Sequence, residues 1–124
     1  MFDYFGGVIY WTDDLGPMVE FYRDILQLPL HSTHADFTAF DLNGIRLSVG
    51  LHSEVHGPSR DSVRVMVNFG VSDIYGVYET LKAGGVTFLR PPEREEWGGW
   101  IATFRDPDGN LLQLLQQAPP AGSG

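Results

Sequence analysis

Few side chains in this sequence can do chemistry. Four histidines, His31, His34, His52 and His56, are its imidazoles, and there is no cysteine. Thiolate nucleophiles, disulfides and cysteine-based metal sites are therefore excluded. His52 and His56 bracket Glu54 in "HSEVH", a spacing that could hold an adventitious metal, but the surrounding Gly and Pro read more plainly as a solvated loop. His31 and His34 form an HxxH near a helix-to-strand turn, where the two rings need not converge. No Ser-His-Asp arrangement can be inferred, because one sequence does not show which residues meet in space. "GGVIYW" and "WGGW" are not phosphate loops, since they lack the helix start and the Lys-Ser/Thr pair. The stretch "PPEREEWGGW" says more: Trp97 and Trp100 stand beside Glu93, Glu95 and Glu96. An indole beside carboxylates suits flat, basic ligands through stacking and cation–π contact. The competing reading is that either tryptophan simply fills core space.

The elements that position these residues form a repeated plan. "FGGVIYWT" reads as a strand, with Asp13-Asp14 capping a helix whose stripe is Met18, Phe21, Tyr22, Ile25 and Leu26. Strands follow at about 36–42 and 45–51, joined across Asn43-Gly44, a strong hairpin dipeptide. The polar stretch "HSEVHGPSRDS" is the expected linker. The plan then recurs. "VRVMVNFGV" is a strand, and Ser72-Asp73 caps a helix with the stripe Ile74, Val77, Tyr78 and Leu81, stopped by Gly84-Gly85. "VTFL", "WIATF" and "NLLQLLQ" supply the remaining strands. The turn before the last of these is Asp106-Pro107-Asp108-Gly109, with Pro and Gly where a tight turn wants them. A shift of 59 positions lays Gly7 on Met66, and the hairpin glycines Gly44 and Gly109 lie 65 apart, so the second copy carries extra loop around "PPEREEWGG". Two copies of one strand–helix–three-strand unit follow.

Composition bounds the function. The chain of 124 residues, 43% hydrophobic, suits one folded domain, with 8 basic against 16 acidic residues and a formal charge of −8. That balance disfavours nucleic acid and anionic membranes as partners. No apolar run is long enough to span a bilayer and the start lacks a signal-peptide pattern, so a cytoplasmic protein is expected.

The paired units, "FYRDILQLPL" in the first helix and "WGGWIATFRDPDGNLLQLLQ" at the end, resemble the vicinal-oxygen-chelate superfamily of glyoxalases, bleomycin-resistance proteins and dioxygenases. The pattern is most similar to the bleomycin-resistance type. The resemblance implies an α+β fold of two tandem βαβββ modules that form a curled mixed sheet around a cavity. It also implies a single domain over residues 1–117, with module one at about 4–52, module two at about 62–117, and 118–124 as a flexible tail. A homodimer is implied as well.

The superfamily's metal enzymes take ligands from the first and last strands of each module, which correspond here to Gly7, Ser48, Met66 and Gln113. Glycine offers no donor, methionine sulfur is soft, and Ser and Gln are neutral oxygens, so neither metal nor other cofactor is expected. Alternation then selects the cavity face: Gly7, Ile9 and Trp11; Arg46, Ser48 and Gly50; Arg64, Met66, Asn68 and Gly70. The opposite residues, Leu47/Val49 and Val65/Val67/Phe69, are expected against the helices. The candidate ligand-binding residues are Trp11, Arg46, Ser48, Arg64, Met66, Asn68, Trp97, Trp100 and Gln113, with no catalytic residue assigned. Three functions compete. One is a metal-free protein that sequesters an aromatic or polycyclic, antibiotic-like ligand, basic ones included, and so confers resistance. The second is a metal-independent enzyme drawing on Asp36, Asp41 or His34. The third, a metal-dependent lyase or dioxygenase, is opposed by the four ligand positions.

Overall fold

In the computed structural model, which describes residues 1–119, the alternation of β1 (Gly7–Thr12) decides which side of the first sheet is covered. Its even positions face the helical segment, where Tyr10 stacks on Tyr22 with ring centroids 5.9 Å apart. That segment begins as α1 (Leu15–Glu20) and continues through a π-helical turn, Phe21–Ile25, in which the Leu26 N–H donates to the Phe21 carbonyl at 2.9 Å. Three strands follow: β2 (Leu30–His34), β3 (Phe37–Leu42) and β4 (Ile45–Leu51). The sheet order is β1-β4-β3-β2, with β1 parallel to β4 and the other pairs antiparallel. Met18, Tyr22, Phe40 and Val49 are fully buried beneath the helical segment. Each such side chain contributes about 1.5–3 kcal/mol of burial, which makes this face the unit's core.

The second unit repeats the topology with β5 (Val67–Gly70), α2 (Ile74–Ala83), β6 (Phe88–Arg94), β7 (Trp100–Arg105) and β8 (Leu111–Gln116). The sheet order is β5-β8-β7-β6, again with the first and last strands parallel. Phe104, Leu112, Ala102 and Ile74 form its core. The Asp73 carboxylate accepts from the Gly76 N–H at 3.1 Å, the expected cap, and the Gln116 side chain accepts from the Ile74 N–H at 2.8 Å. By chain contacts the molecule divides into units Met1–Pro58 and Ser59 onward. Both offsets of the repeat survive in the strand registers, because Ile9 pairs with Ser48 and Asn68 pairs with Gln113.

Four local expectations are corrected. No strand was expected at 30–34, yet His31 and His34, close to the helix-to-strand turn as their positions suggest, lie on β2. The strand expected from Val63 begins only at Val67. A turn precedes it, with the Arg64 N–H donating to the Asp61 carbonyl at 3.2 Å, and Val65 is 67% exposed instead of packing on a helix. The loop around "PPEREEWGG" is partly strand, since β6 runs to Arg94 with register shifts between Phe88 and Arg90 and between Arg90 and Glu93, the second spanning Pro91-Pro92, which have no N–H to donate. Asp14 occupies the first N-cap without a side-chain cap; its N–H donates to Thr12 Oγ1 at 3.1 Å, while Asp13 accepts from the Gly57 N–H at 2.8 Å. Of the expected tail, 120–124 lie outside the described residues.

Candidate functional site

On the first sheet, the face opposite the helical segment is built by strand register. The pairs Gly7–Arg46, Ile9–Ser48 and Trp11–Gly50 share it, as do Asp41–Arg46, Ala39–Ser48 and Phe37–Gly50 from β3. Trp11, Arg46 and Ser48 are therefore brought together as the alternation predicts. Trp11 lies across Gly50, where an added Cβ would stand 2.8 Å from the indole and 2.6 Å from the Phe37 ring. Its ring is fixed between Phe37 at 5.8 Å and the edge of His52 at 5.3 Å, yet remains 42% exposed. His52 Nδ1 accepts from the Glu54 N–H at 3.1 Å. Beside this aromatic shelf is a cavity of about 190 Å³ lined by Gly6, Gly7, Ile9, Phe37, Arg46 and Ser48, with Val8 at its edge.

Phe37 and His52 were not assigned to the site from the sequence, and Asp41 was named only as a candidate acid–base group. Counting outward from the Asn43-Gly44 hairpin places Phe37 and Asp41 on the Arg46/Ser48 face, so that signal was present in the sequence. The position of His52 over Trp11 depends on the path of the linker. The Asp41 carboxylate accepts from the Gly44 N–H at 3.0 Å and from Arg46 Nε at 3.4 Å. The Gly44 hydrogen bond first, and then the Arg46 contact and charge, hold Asp41 below the usual aspartate range. A carboxylate held ionised in this way is a weak proton acceptor. Its lowered pKa in the fold adds stability above the ordinary aspartate pKa, and that stability is lost as pH falls through the lower folded value. An Asp41→Asn chain is thus expected to show a flatter decline of Tm on the acid side than the parent. Parallel acid-side Tm curves for the two would refute this coupling.

The second sheet separates residues that the sequence grouped. Asn68, Thr103 and Gln113 are register partners on one face, joined by Arg90 through its pairing with Thr103. Trp100 lies on the other face with Ala102 and Phe104, its ring edge-on to Tyr75 of α2 at 5.6 Å. Met66 precedes β5 and is 37% exposed, and Arg64 Nε pairs with Asp61 at 2.8 Å in the exposed turn. Trp97 packs across Gly99 and remains 50% exposed. The carboxylates near it are partly neutralised: Arg90 Nη2 contacts Glu95 at 2.5 Å and Glu93 at 3.3 Å. Glu95 is the main influence raising the Arg90 pKa. A larger cavity of about 540 Å³, between Gly70–Ser72 and Leu115–Pro119, is lined by Gly70 of the expected cavity face but by none of the candidate ligand-binding residues.

The four superfamily ligand positions do not fit a divalent metal. Gly7 has φ +150°, and a Cβ there would overlap the Arg46 carbonyl, so the backbone itself closes the place a ligand side chain would need. Ser48 is buried as a neutral hydroxyl, while Met66 and Gln113 offer a thioether and an amide. Among the described residues no group of three or more His, Asp or Glu could hold a metal ion.

Paired βαβββ units whose first and last strands pair in parallel define a class of fold, and the sequence comparison names it. The chain belongs to the Glyoxalase/Bleomycin resistance protein/Dioxygenase superfamily, which matches residues 3–114. It is 31% identical over 117 residues to the uncharacterized protein YraH of Bacillus subtilis, a match covering 85% of this chain and 91% of that one. A bleomycin resistance protein of Klebsiella pneumoniae is 45% identical over 47 residues, which is 38% of this chain and 36% of the relative. The crystal structure of a glyoxalase/bleomycin resistance protein/dioxygenase from Nocardioides superposes with a TM-score of 0.79 at 26% identity, covering 100% of this chain and 89% of that one. No helix among the described residues is long and apolar enough to cross a membrane.

Proposed function

We propose that this chain, as one domain over residues 1–117, is a metal-free small-molecule binding protein that sequesters an aromatic ligand without altering it. The observation that carries the reading is the first-sheet shelf. Trp11 is held rigidly against Phe37 and His52 but keeps a large exposed surface beside an open cavity. A pre-oriented aromatic surface binds flat ligands with little ordering cost. The donor set at Gly7, Ser48, Met66 and Gln113 supports binding without metal. The ion pairs of Arg90 weaken the case for a basic ligand beside Trp97, where Glu96 alone among the three glutamates has no ion-pair partner among the described residues. A thermal-shift panel of planar aromatic compounds, with and without EDTA, tests this. Hits are expected to raise Tm equally in both conditions, to quench tryptophan emission, and to be recovered chemically unchanged. A stoichiometric metal whose removal abolishes binding, or turnover above one product per site, would sink it.

The second reading, a metal-independent enzyme, draws on Asp41 and His34, which register places on the shelf's face. The Gly44 and Arg46 contacts to Asp41 weigh against it as a base.

We also propose a homodimer. Ile9 and Trp11, on one face of β1, are 48% and 42% exposed, apolar surface that a second copy of the chain would bury. Light scattering at micromolar concentration is expected to give twice the chain mass of 13.8 kDa, and a monomer would refute it.

A further inference from the structure

The shelf on the first sheet carries more than an aromatic preference. Its two ends differ in chemistry. At one end Trp11 and Phe37 meet over Gly50; at the other Arg46 lies beside Gly7, four residues along the parallel pair β1–β4. At the rise of a strand that separation is about 13 Å. Phe37 belongs to both parts, since it touches Trp11 and lines the cavity that Arg46 and Ser48 also line. The only ion pair of Arg46 among the described residues is a long one, from Nε to Asp41 at 3.4 Å, and its side chain is 46% exposed. Neither Nη group has a hydrogen-bond or ion-pair partner among the described residues, and Asp41 engages its other oxygen with the Gly44 N–H. A guanidinium with its outer edge open matches a carboxylate in bidentate geometry.

Resting on the binding function proposed above, we propose that this face takes an aromatic carboxylate, the ring against Phe37 and Trp11 and the anionic group on Arg46. Size agrees. The cavity of about 190 Å³ is smaller than the roughly 300–1,000 Å³ of sites that engulf drug-sized ligands, so it suits one or two fused rings rather than a large polycycle. The chain's net charge of −8 opposes an anion only weakly, because screening over about 8 Å at physiological salt damps distant charges and leaves the contact to local groups. The nearest local anion, Asp41, is engaged on both oxygens.

Calorimetric titration with three probes of one shape tests the assignment: naphthoate, its neutral naphthamide, and the cationic naphthylmethylamine. Naphthoate is expected to bind about ten-fold tighter than the amide, the low end for a hydrogen bond to a charged group that is part-exposed. Arg46→Gln is expected to abolish that preference, and Arg46→Lys to keep part of it. Asp41→Asn preserves an acceptor for Gly44 and is expected to tighten naphthoate several-fold while leaving the amide unchanged. Because Arg46 is half exposed, circular dichroism should show all three variants folded. Tightest binding of the amine, an anion preference untouched by Arg46→Gln, or no binding of naphthoate would overturn the inference. If aromatic hits from the thermal-shift panel still bind in any of these cases, the binding function stands and only the ligand's charge was misread. If the panel is empty as well, both fall.

Discussion

A Gly7→His chain is expected to be less stable by about 3 kcal/mol and to bind no metal. Gly7 stands where the superfamily's metal enzymes place a first-strand ligand, so restoring an imidazole is the obvious attempt to recover a metalloenzyme. The backbone opposes it. At φ +150° a Cβ would overlap the Arg46 carbonyl oxygen, an atom of the strand paired to β1, so the clash cannot be relieved by rotating a side chain. Strain at such a φ costs about 1–3 kcal/mol, and displacing β1 from β4 adds lost ladder contacts. In urea the midpoint is expected to fall by about 1–2 M. Gly7→Ala, with the same Cβ and no imidazole, should lose most of the same stability. A stable Gly7→His protein that takes up one equivalent of zinc or nickel would show that the strand can yield, and the metal-free reading would lose its structural basis.

Asp106→Ala is expected to cost a similar amount, about 3 kcal/mol, through the turn that precedes β8. Asp106 is only 5% exposed. Its Oδ1 accepts from the N–H groups of Asp108 and Asn110 at 2.9 and 3.0 Å, and its Oδ2 accepts from Asn110 Nδ2 at 2.8 Å. Buried hydrogen bonds to a charged acceptor are worth about 1.5–3 kcal/mol each, although their losses do not add fully. The turn launches β8, whose register carries Gln113 beside Asn68 and Thr103. Asp106→Asn keeps the Oδ1 acceptor and sets its amide against that of Asn110, so it should fall between Ala and the parent. Equal urea midpoints for Asp106→Ala and the parent would mean that backbone turn chemistry at Pro107 and Gly109 suffices alone.

Local chemistry made the repeat readable. Asn43-Gly44 and Asp106-Pro107-Asp108-Gly109 announce their turns because positive φ at Asn43, Gly44 and Gly109 is affordable only to residues of this kind. The alternation of β1 gave Gly7, Ile9 and Trp11 one face because the strand period is two, whatever surrounds it. The helix stripes were visible for the same reason, and Met18, Tyr22, Ile74 and Leu81 are buried as their spacing requires.

The composition of the site was a tertiary matter. Alternation places Trp100 on a face but does not say which face a helix will cover, and α2 covers this one through Tyr75. The glutamates beside Trp97 looked free in sequence, but a bulge at Pro91-Pro92 resets the register of β6 and carries Arg90 to within reach of Glu93 and Glu95. A shift of one residue in a strand exchanges its faces, and no local signal fixes the size of a bulge. Pairing of β5 with β8 likewise begins only at Val67, opposite Leu112, which leaves Arg64 and Met66 outside the strand. What the sequence determined by itself was most of the elements and their two faces, though not β2 or the late start of β5. Which faces are covered, and which charges meet across strands far apart in the chain, was decided only by tertiary pairing, because those contacts join residues with no covalent proximity to announce them.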